Sequence, residues 1–354
     1  MRVALIHNHS LTYPGGGEKF MARLANGLSR RGLRVSVYSL PLERQANVDV
    51  RGLLDPGVEY EEGLTPDIDA DVAYVTYFPL VTLALLRVRA PKVAGIHSHF
   101  LLPEAQDPEL FRGGPVALLR RLGPWATYTY YLRGLMGLEL RRFEAVHAYP
   151  HLVSFIRHRR PYAILPFLDV SRWRPTRDKD EEFKVLFVGR RIYEKGFDVF
   201  TAVAREARGR LGLKARFLAT GGREGEVTDG VESLGFVPED ELVNLYSSAH
   251  VVIYPTRADN FGLVMLEALA SGTPVVASDI HSHRLPGLPL LLARGVDGAL
   301  RQLVDLYNMF YGDRERYLEL CRRGREAVVR GYSEEVVVPQ YVRMFKEVAG
   351  GLSP

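Results

Sequence analysis

A chain of 354 residues is longer than one hydrophobic core usually organises, so two domains are expected. Its 47% hydrophobic and 25% charged content excludes a disordered, collagen-like or low-complexity protein. The net charge of +4 is a mild basic excess, and a single cysteine, Cys321, excludes an intrachain disulfide or a cysteine-built zinc site. Arginine outnumbers lysine 39 to 7, and only 6 Asn and 4 Gln occur, a scarcity of thermolabile residues that fits a thermophile. Apolar runs such as 79–86 fall short of the roughly 20 residues of a membrane helix. The start, MRVALIHNHS, enters a strand-like run with no signal-peptide pattern, so a soluble cytoplasmic chain is expected.

In chain order, RVALIH (2–7) reads as a strand ending at polar residues, followed by a turn at Gly15, Gly16 and Gly17. Phe20, Met21, Leu24 and Leu28 then share one helical face. Further strands are expected at 34–40, 71–77, 92–97 and 145–149. Strands alternating with helical patterns argue for βαβ units and a parallel sheet. The stretch 166–182, rich in Pro, Arg and acid, has no period and reads as a linker. Alternation restarts with strands at 183–189, 215–220, 250–255 and 273–278, a helix at 238–248 and another from Gly262. The last 60 residues read as helical. Two doubly wound α/β domains joined by a linker would place ligands at the carboxyl ends of their strands.

Chemistry concentrates in YPTRADNFGLVMLEALASGTPVVAS (254–278). A strand ends at Pro255, a polar loop carries Asp259 and Asn260, and Gly262 opens a helix. Backbone N–H groups from Phe261 through Leu263 and Val264, with the helix dipole, favour an anion there. Glu267 follows Asp259 by eight positions, and carboxylates are good acceptors for ribose and sugar hydroxyls. A capping Asp and a surface Glu would read the same way in isolation. VGRRIYEKG (188–196) follows a strand and precedes a helix, with Arg190 and Lys195 five apart. Cations aimed at a leaving diphosphate act most strongly in a dry site, although such a pair alone also suits a solvated loop.

These stretches resemble the signature segments of retaining family 4 (group 1) glycosyltransferases of the GT-B fold, in which two Rossmann-like α/β domains face a cleft. Phe261, Gly262 and Glu267 match, and Asp259 stands where a glutamate is usual. The resemblance implies that Glu267 holds the nucleotide ribose, that Asp259 contacts the transferred sugar, and that Arg190 and Lys195 bind the diphosphate. PGGGEKF (14–20) resembles the N-terminal G-G-x-E loop, with Gly15, Gly16 and Glu18 matching and lying across from the donor phosphates. Gly235 to Val237 resemble the segment that meets the nucleobase. HSHF (97–100) ends a strand where the family has a histidine beside the sugar; His97 matches by position, and His99 would point to the same side. By the same likeness Asn260, Phe261, Gly262 and Leu263 belong to the donor site.

The likeness implies residues 1–165 as an acceptor-side domain, 166–182 as a linker about which domains close, 183–332 as the nucleotide-sugar-binding domain, and 333–354 as a helix crossing back to the first. It implies a retaining, metal-independent hexosyltransferase moving a sugar from a nucleotide-diphosphate sugar to an acceptor hydroxyl on a glycan or lipid-linked acceptor. No cofactor is expected. A nucleotide-sugar epimerase and a non-catalytic nucleotide-sugar-binding module are the alternatives. His281 and His283 read as a polar loop rather than a metal site. The 111–142 stretch sets Arg112, Arg120, Arg121, Arg133, Arg141 and Arg142 among Trp125, Tyr128, Tyr130 and Tyr131. It reads as a solvated helical hairpin or as peripheral contact with an anionic membrane, with nucleic acid disfavoured.

Overall fold

Strand β1 (Arg2–His7) is short, apolar and buried from its second residue onward, as a strand covered on both faces must be. It is central to a parallel seven-stranded sheet with β2 (Arg34–Ser39), β3 (Val58–Glu62), β4 (Val72–Thr76), β5 (Lys92–Gly95), β6 (Ala145–Ala148) and β7 (Pro161–Ala163), in the order β3-β2-β1-β4-β5-β6-β7. The computed structural model describes residues 1–13, 15–40, 49–63, 68–81 and 88–351. Pro14 of the glycine loop, most of the apolar run 79–86 and the last three residues of 333–354 lie outside them.

The chain divides into two compact units, residues 1–103, 123–167 and 334–354 in one and 104–122 and 168–333 in the other. In the first, the Gly16–Ser29 helix and the Glu334–Ala349 helix cover the sheet. Leu24, Leu28, Val337, Tyr341 and Phe345 join Val3, Leu5 and Val93 in one core. Glu334 anchors the last helix by pairing with Arg30 and Arg31, each at 3.2 Å. This helix packing is why the sequence returns to the first unit after residue 333.

In the second unit, β8 (Phe183–Phe187), β9 (Ala215–Ala219), β10 (Val227–Thr228), β11 (Val231–Ser233), β12 (Val251–Tyr254), β13 (Val275–Ser278) and β14 (Leu291–Ala293) form a sheet in the order β10-β11-β9-β8-β12-β13-β14. Only the β10–β11 pair is antiparallel. Helices Phe197–Gly209 and Gly295–Gly312 bury Phe200, Val203, Leu303 and Leu306 against it. The stretch 104–122, inside the range 1–165, clusters with this unit.

The stretch read as a linker is held in place along much of its length. Trp173 is fully buried with its ring 5.7 Å from Tyr246, Thr176 donates to Asn244 at 2.7 Å, and the Lys179 ammonium donates to Thr273 and to the Ala249 carbonyl, each at 2.6 Å. No described helix is long and apolar enough to cross a membrane.

Candidate active site

Two loops leave the carboxyl ends of adjacent strands β8 and β12 and are stitched to each other. The first runs from Gly189 to Gly196, with a single 3₁₀ turn at Tyr193–Lys195, and opens the Phe197–Gly209 helix. Gly196 has φ +71°, and a Cβ there would overlap the Pro255 carbonyl oxygen of the second loop, so only glycine lets the loops approach. The Glu194 carbonyl accepts from the Arg257 N–H at 2.8 Å and the Thr256 hydroxyl at 3.1 Å. The Arg257 guanidinium clamps Asp198 through two 2.7 Å bonds and lies 3.8 Å over the Tyr193 ring.

The charged side chains of both loops converge on one another. The buried Glu194 carboxylate lies 3.5 Å from the Arg190 guanidinium and 3.3 Å from the Lys195 ammonium. Lys195 in turn lies 3.5 Å from Asp259 and donates to the Ala258 carbonyl at 3.3 Å. Burial pushes the Lys195 ammonium down, but Asp259 and Glu194 outweigh it and hold its pKa above the usual value, so it stays charged. Asp259 accepts from the Tyr254 hydroxyl at 2.5 Å and from the Phe261 N–H at 3.1 Å. Burial and the Asp259 charge push the Tyr254 phenol well above its ordinary range, which keeps it a donor. Arg190, Lys195 and Asp259 are therefore brought together, through a glutamate that the motif contains but whose part the sequence did not reveal.

Gly262 caps the Leu263–Ala270 helix with no side-chain bond, and a Cβ on it would come within 2.7 Å of the Tyr254 ring. The ring thus lies directly against the helix start, where backbone N–H groups and the dipole favour an anion. Glu267 projects from this helix, buried, with the Tyr246 hydroxyl donating to it at 3.3 Å. Gly235, with φ +65°, and Val237 follow β11; the Gly235 carbonyl accepts from the Gly221 N–H at 2.6 Å, which sets this turn beside the end of β9. Arg191, next to Arg190, turns the other way: its guanidinium donates to the Ala219 and Thr220 carbonyls and lies 5.0 Å over Phe197.

Sequence reasoning missed Gln106, a buried side chain on 104–122. It accepts from the Asp259 N–H at 2.9 Å and the Ser282 hydroxyl at 3.2 Å, and donates to the Asn260 side chain at 3.3 Å. An isolated glutamine in a loop carries no motif by which it could have been found. In the loop after β13, Ser282 and His283 are buried in a short 3₁₀ turn, His281–His283. His283 is held near pKa 4 by burial, its Nδ1 donating to the Ser278 carbonyl at 2.9 Å.

Other residues singled out in the sequence belong to the first unit. His97 follows β5, with Nε2 2.6 Å from the Tyr74 hydroxyl and Nδ1 3.1 Å from that of Tyr149. His99 lies in a separate 3₁₀ turn, His99–Leu101. Gly15 precedes the Gly16–Ser29 helix; a Cβ there would collide with the Glu18 carboxylate, whereas Gly16 faces open space. Glu18 lies 3.0 Å from His7; burial opposes its charge, but His7 holds it below the usual carboxylate range.

A sequence profile of the family described as "Glycosyl transferases group 1" matches residues 182–310. An uncharacterized glycosyltransferase of Methanocaldococcus jannaschii is 32% identical over 189 residues, covering 48% of this chain and 46% of that one. A D-inositol 3-phosphate glycosyltransferase of Mycolicibacterium smegmatis is 35% identical over 132 residues, covering 33% and 28%. The chain thus spans less than half the length of these curated relatives. Among solved structures, a sucrose-phosphate synthase from Thermosynechococcus elongatus superposes with TM-score 0.73 at 18% identity, covering 99% of this chain and 100% of that one. HepE of Anabaena, solved with UDP and glucose, gives TM-score 0.70 at 15% identity, covering 98% and 99%. The chain has the GT-B fold of these solved structures, and the segment that matches the group 1 glycosyltransferase profile, residues 182–310, lies in its second unit.

Proposed function

We propose that this protein is a retaining glycosyltransferase that moves a sugar from a nucleotide-diphosphate donor to an acceptor hydroxyl. The observation that carries this reading is the Arg190–Glu194–Lys195–Asp259 network at the ends of β8 and β12, with the start of the Leu263–Ala270 helix in the same loop as Asp259. The likeness to HepE, solved with UDP and glucose, supports a nucleotide donor. Arg190 and Lys195 neutralise the charge that builds on the leaving diphosphate as the glycosidic bond breaks. Backbone N–H groups at Gly262 and Leu263 add partial positive charge, and Glu267 accepts from ribose hydroxyls. Asn260 and Phe261 complete this loop, and Gly235 to Val237 offer backbone groups to the nucleobase.

In the retaining reaction the departing phosphate oxygen takes the acceptor proton on the face from which it leaves. No enzyme nucleophile is then required. In this reading the cations and the helix dipole take over the charge neutralisation that a divalent ion would otherwise supply, and transfer is expected to proceed without metal. Nucleoside diphosphate release from a nucleotide sugar, measured with acceptor in saturating EDTA, tests this. Turnover unchanged by EDTA and lowered at least about 100-fold by Arg190→Ala is the expected outcome. Activity lost to EDTA and restored by a divalent ion would contradict the metal-independent mechanism, and near-normal Arg190→Ala turnover would contradict the diphosphate assignment.

A lipid-linked acceptor is favoured by side chains that each unit exposes by itself, the second within 111–122 and the first within 123–142. The Pro115–Leu122 helix exposes Val116 and Leu119 beside Arg120, and the Pro124–Leu132 helix exposes Trp125 and Tyr131. Apolar side chains among arginines favour contact with an anionic bilayer. Arg121 is otherwise engaged, donating to the carbonyls of Glu109, Leu110 and Arg112 at 2.9, 3.0 and 3.2 Å. Arg120→Glu is expected to weaken sedimentation with anionic liposomes, and unchanged binding would return this face to plain solvation.

A further inference from the structure

A line of hydrogen bonds in the first unit fixes where the hydrogens sit on two histidines. His147 Nε2 lies 3.0 Å from the Ile164 carbonyl oxygen, which can only accept, so Nε2 carries a hydrogen. The Tyr341 hydroxyl, within 3.3 Å of the Leu165 carbonyl, has its oxygen 3.2 Å from the same nitrogen and serves as a second acceptor. Burial holds His147 near pKa 4, so its ring is neutral and Nδ1 is bare. That bare nitrogen meets the Tyr74 hydroxyl at 2.6 Å, and the phenol gives its one hydrogen there.

The same phenol oxygen lies 2.6 Å from His97 Nε2. With its hydrogen already given to His147, it can only accept, so His97 must carry hydrogen on Nε2. Burial, with the His147 ring beside it, holds the His97 pKa well below its ordinary value, so the ring carries one hydrogen and its Nδ1 accepts from the Tyr149 hydroxyl at 3.1 Å. The backbone is built for this meeting: a Cβ on Gly95 would overlap the Tyr74 hydroxyl and come within 2.8 Å of His97 Nε2.

We propose that Tyr74 and His147 are positioning residues that lock His97 as a neutral imidazole with its hydrogen on Nε2 and that N–H turned into the unit. The functional consequence rests on the glycosyltransferase reading: with both ring nitrogens engaged inside the first unit, His97 supplies neither a proton nor a positive charge to the transfer step and acts only through the placement of its ring. In a ring whose tautomer is set by its neighbours, losing one neighbour changes the chemistry of the ring without removing it.

Ring-nitrogen NMR of the full chain with isotope-labelled histidine reads the tautomers directly, with His97→Gln and His147→Gln chains assigning the signals. Both rings are expected to be neutral at neutral pH with hydrogen on Nε2. A His97 ring with its hydrogen on Nδ1, or protonated twice, would overturn the proposal. Tyr74→Phe is expected to move the signals of His97 and His147 together and leave those of His250 in place; unmoved His97 signals would overturn it as well. In the transfer assay Tyr74→Phe is expected to lower kcat about tenfold or more with a nearly unchanged KM for the nucleotide sugar, and an unchanged kcat would overturn the positioning role. The wild-type NMR result decides the tautomer whether or not transfer is detected, so failure of the glycosyltransferase reading is distinguishable from failure of this one.

Discussion

Arg190 and Lys195 match one short motif yet sit in different surroundings. The Arg190 side chain is 60% exposed and holds Glu194 from outside, whereas Lys195 is 16% exposed and stands between two carboxylates. Arg190→Ala is therefore expected to lower turnover at least about 100-fold while leaving Tm nearly unchanged. Lys195→Ala is expected to lose both activity and stability, because Glu194 and Asp259 are left facing each other without their shared cation. Paired kcat and Tm measurements check this, and an Lys195→Ala chain as stable as wild type would contradict the network. Asp259 was legible as a departure from the usual glutamate. Its engagement with Tyr254 and the Phe261 N–H was not, because it depends on a tyrosine five residues earlier being turned back by the strand end.

The elements that hold these side chains were legible wherever an apolar run was long enough to show a period. Strands β1, β2, β8 and β12 were read within a residue or two of their ends. Strand β3 was not, since VEYEE alternates in burial and carries three acids on a sheet edge. Strands β7, β10, β11 and β14 span only two or three residues each, too few to carry a pattern. Gly196 ends the VGRRIYEKG motif, but its close approach to Pro255 arises from two loops distant in sequence. Gly196→Ala is expected to cost about 1–3 kcal/mol for the left-handed backbone, plus displacement of Pro255. Chemical denaturation checks this, and a loss below about 0.5 kcal/mol would contradict the stitched-loop geometry. Gln106→Ala is expected to loosen the Asp259 loop and raise the KM for the nucleotide sugar. An unchanged KM in steady-state kinetics would leave Gln106 a packing residue.

Both units bury histidines in neutral form, and this makes stability depend on pH on the acid side. His147, His250 and His283 are each held near pKa 4 by burial, against an ordinary value of 6.5. Between those values the unfolded chain binds protons that the folded chain refuses, so stability falls as pH drops from about 6.5 to about 4 and this contribution is fully present above that window. Tm measured across pH 4 to 8 is expected to hold level above about 6.5 and to decline below it; a Tm constant down to about 4 would contradict the buried neutral rings. The division into two doubly wound α/β sheets was legible from the repeated alternation of strand and helix. The grouping of 104–122 with the second unit was not, because nothing local in that stretch reports which sheet it packs against. The proposed transfer requires that the second unit bind a nucleoside diphosphate. Thermal unfolding with UDP, GDP, ADP and their sugar conjugates tests that claim most directly. One nucleotide series is expected to raise Tm, by an amount equivalent to about 2.7 kcal/mol at 100 times its Kd, with the shift reduced in Arg190→Ala and Glu267→Gln chains. No shift with any of these ligands at millimolar concentration would contradict it.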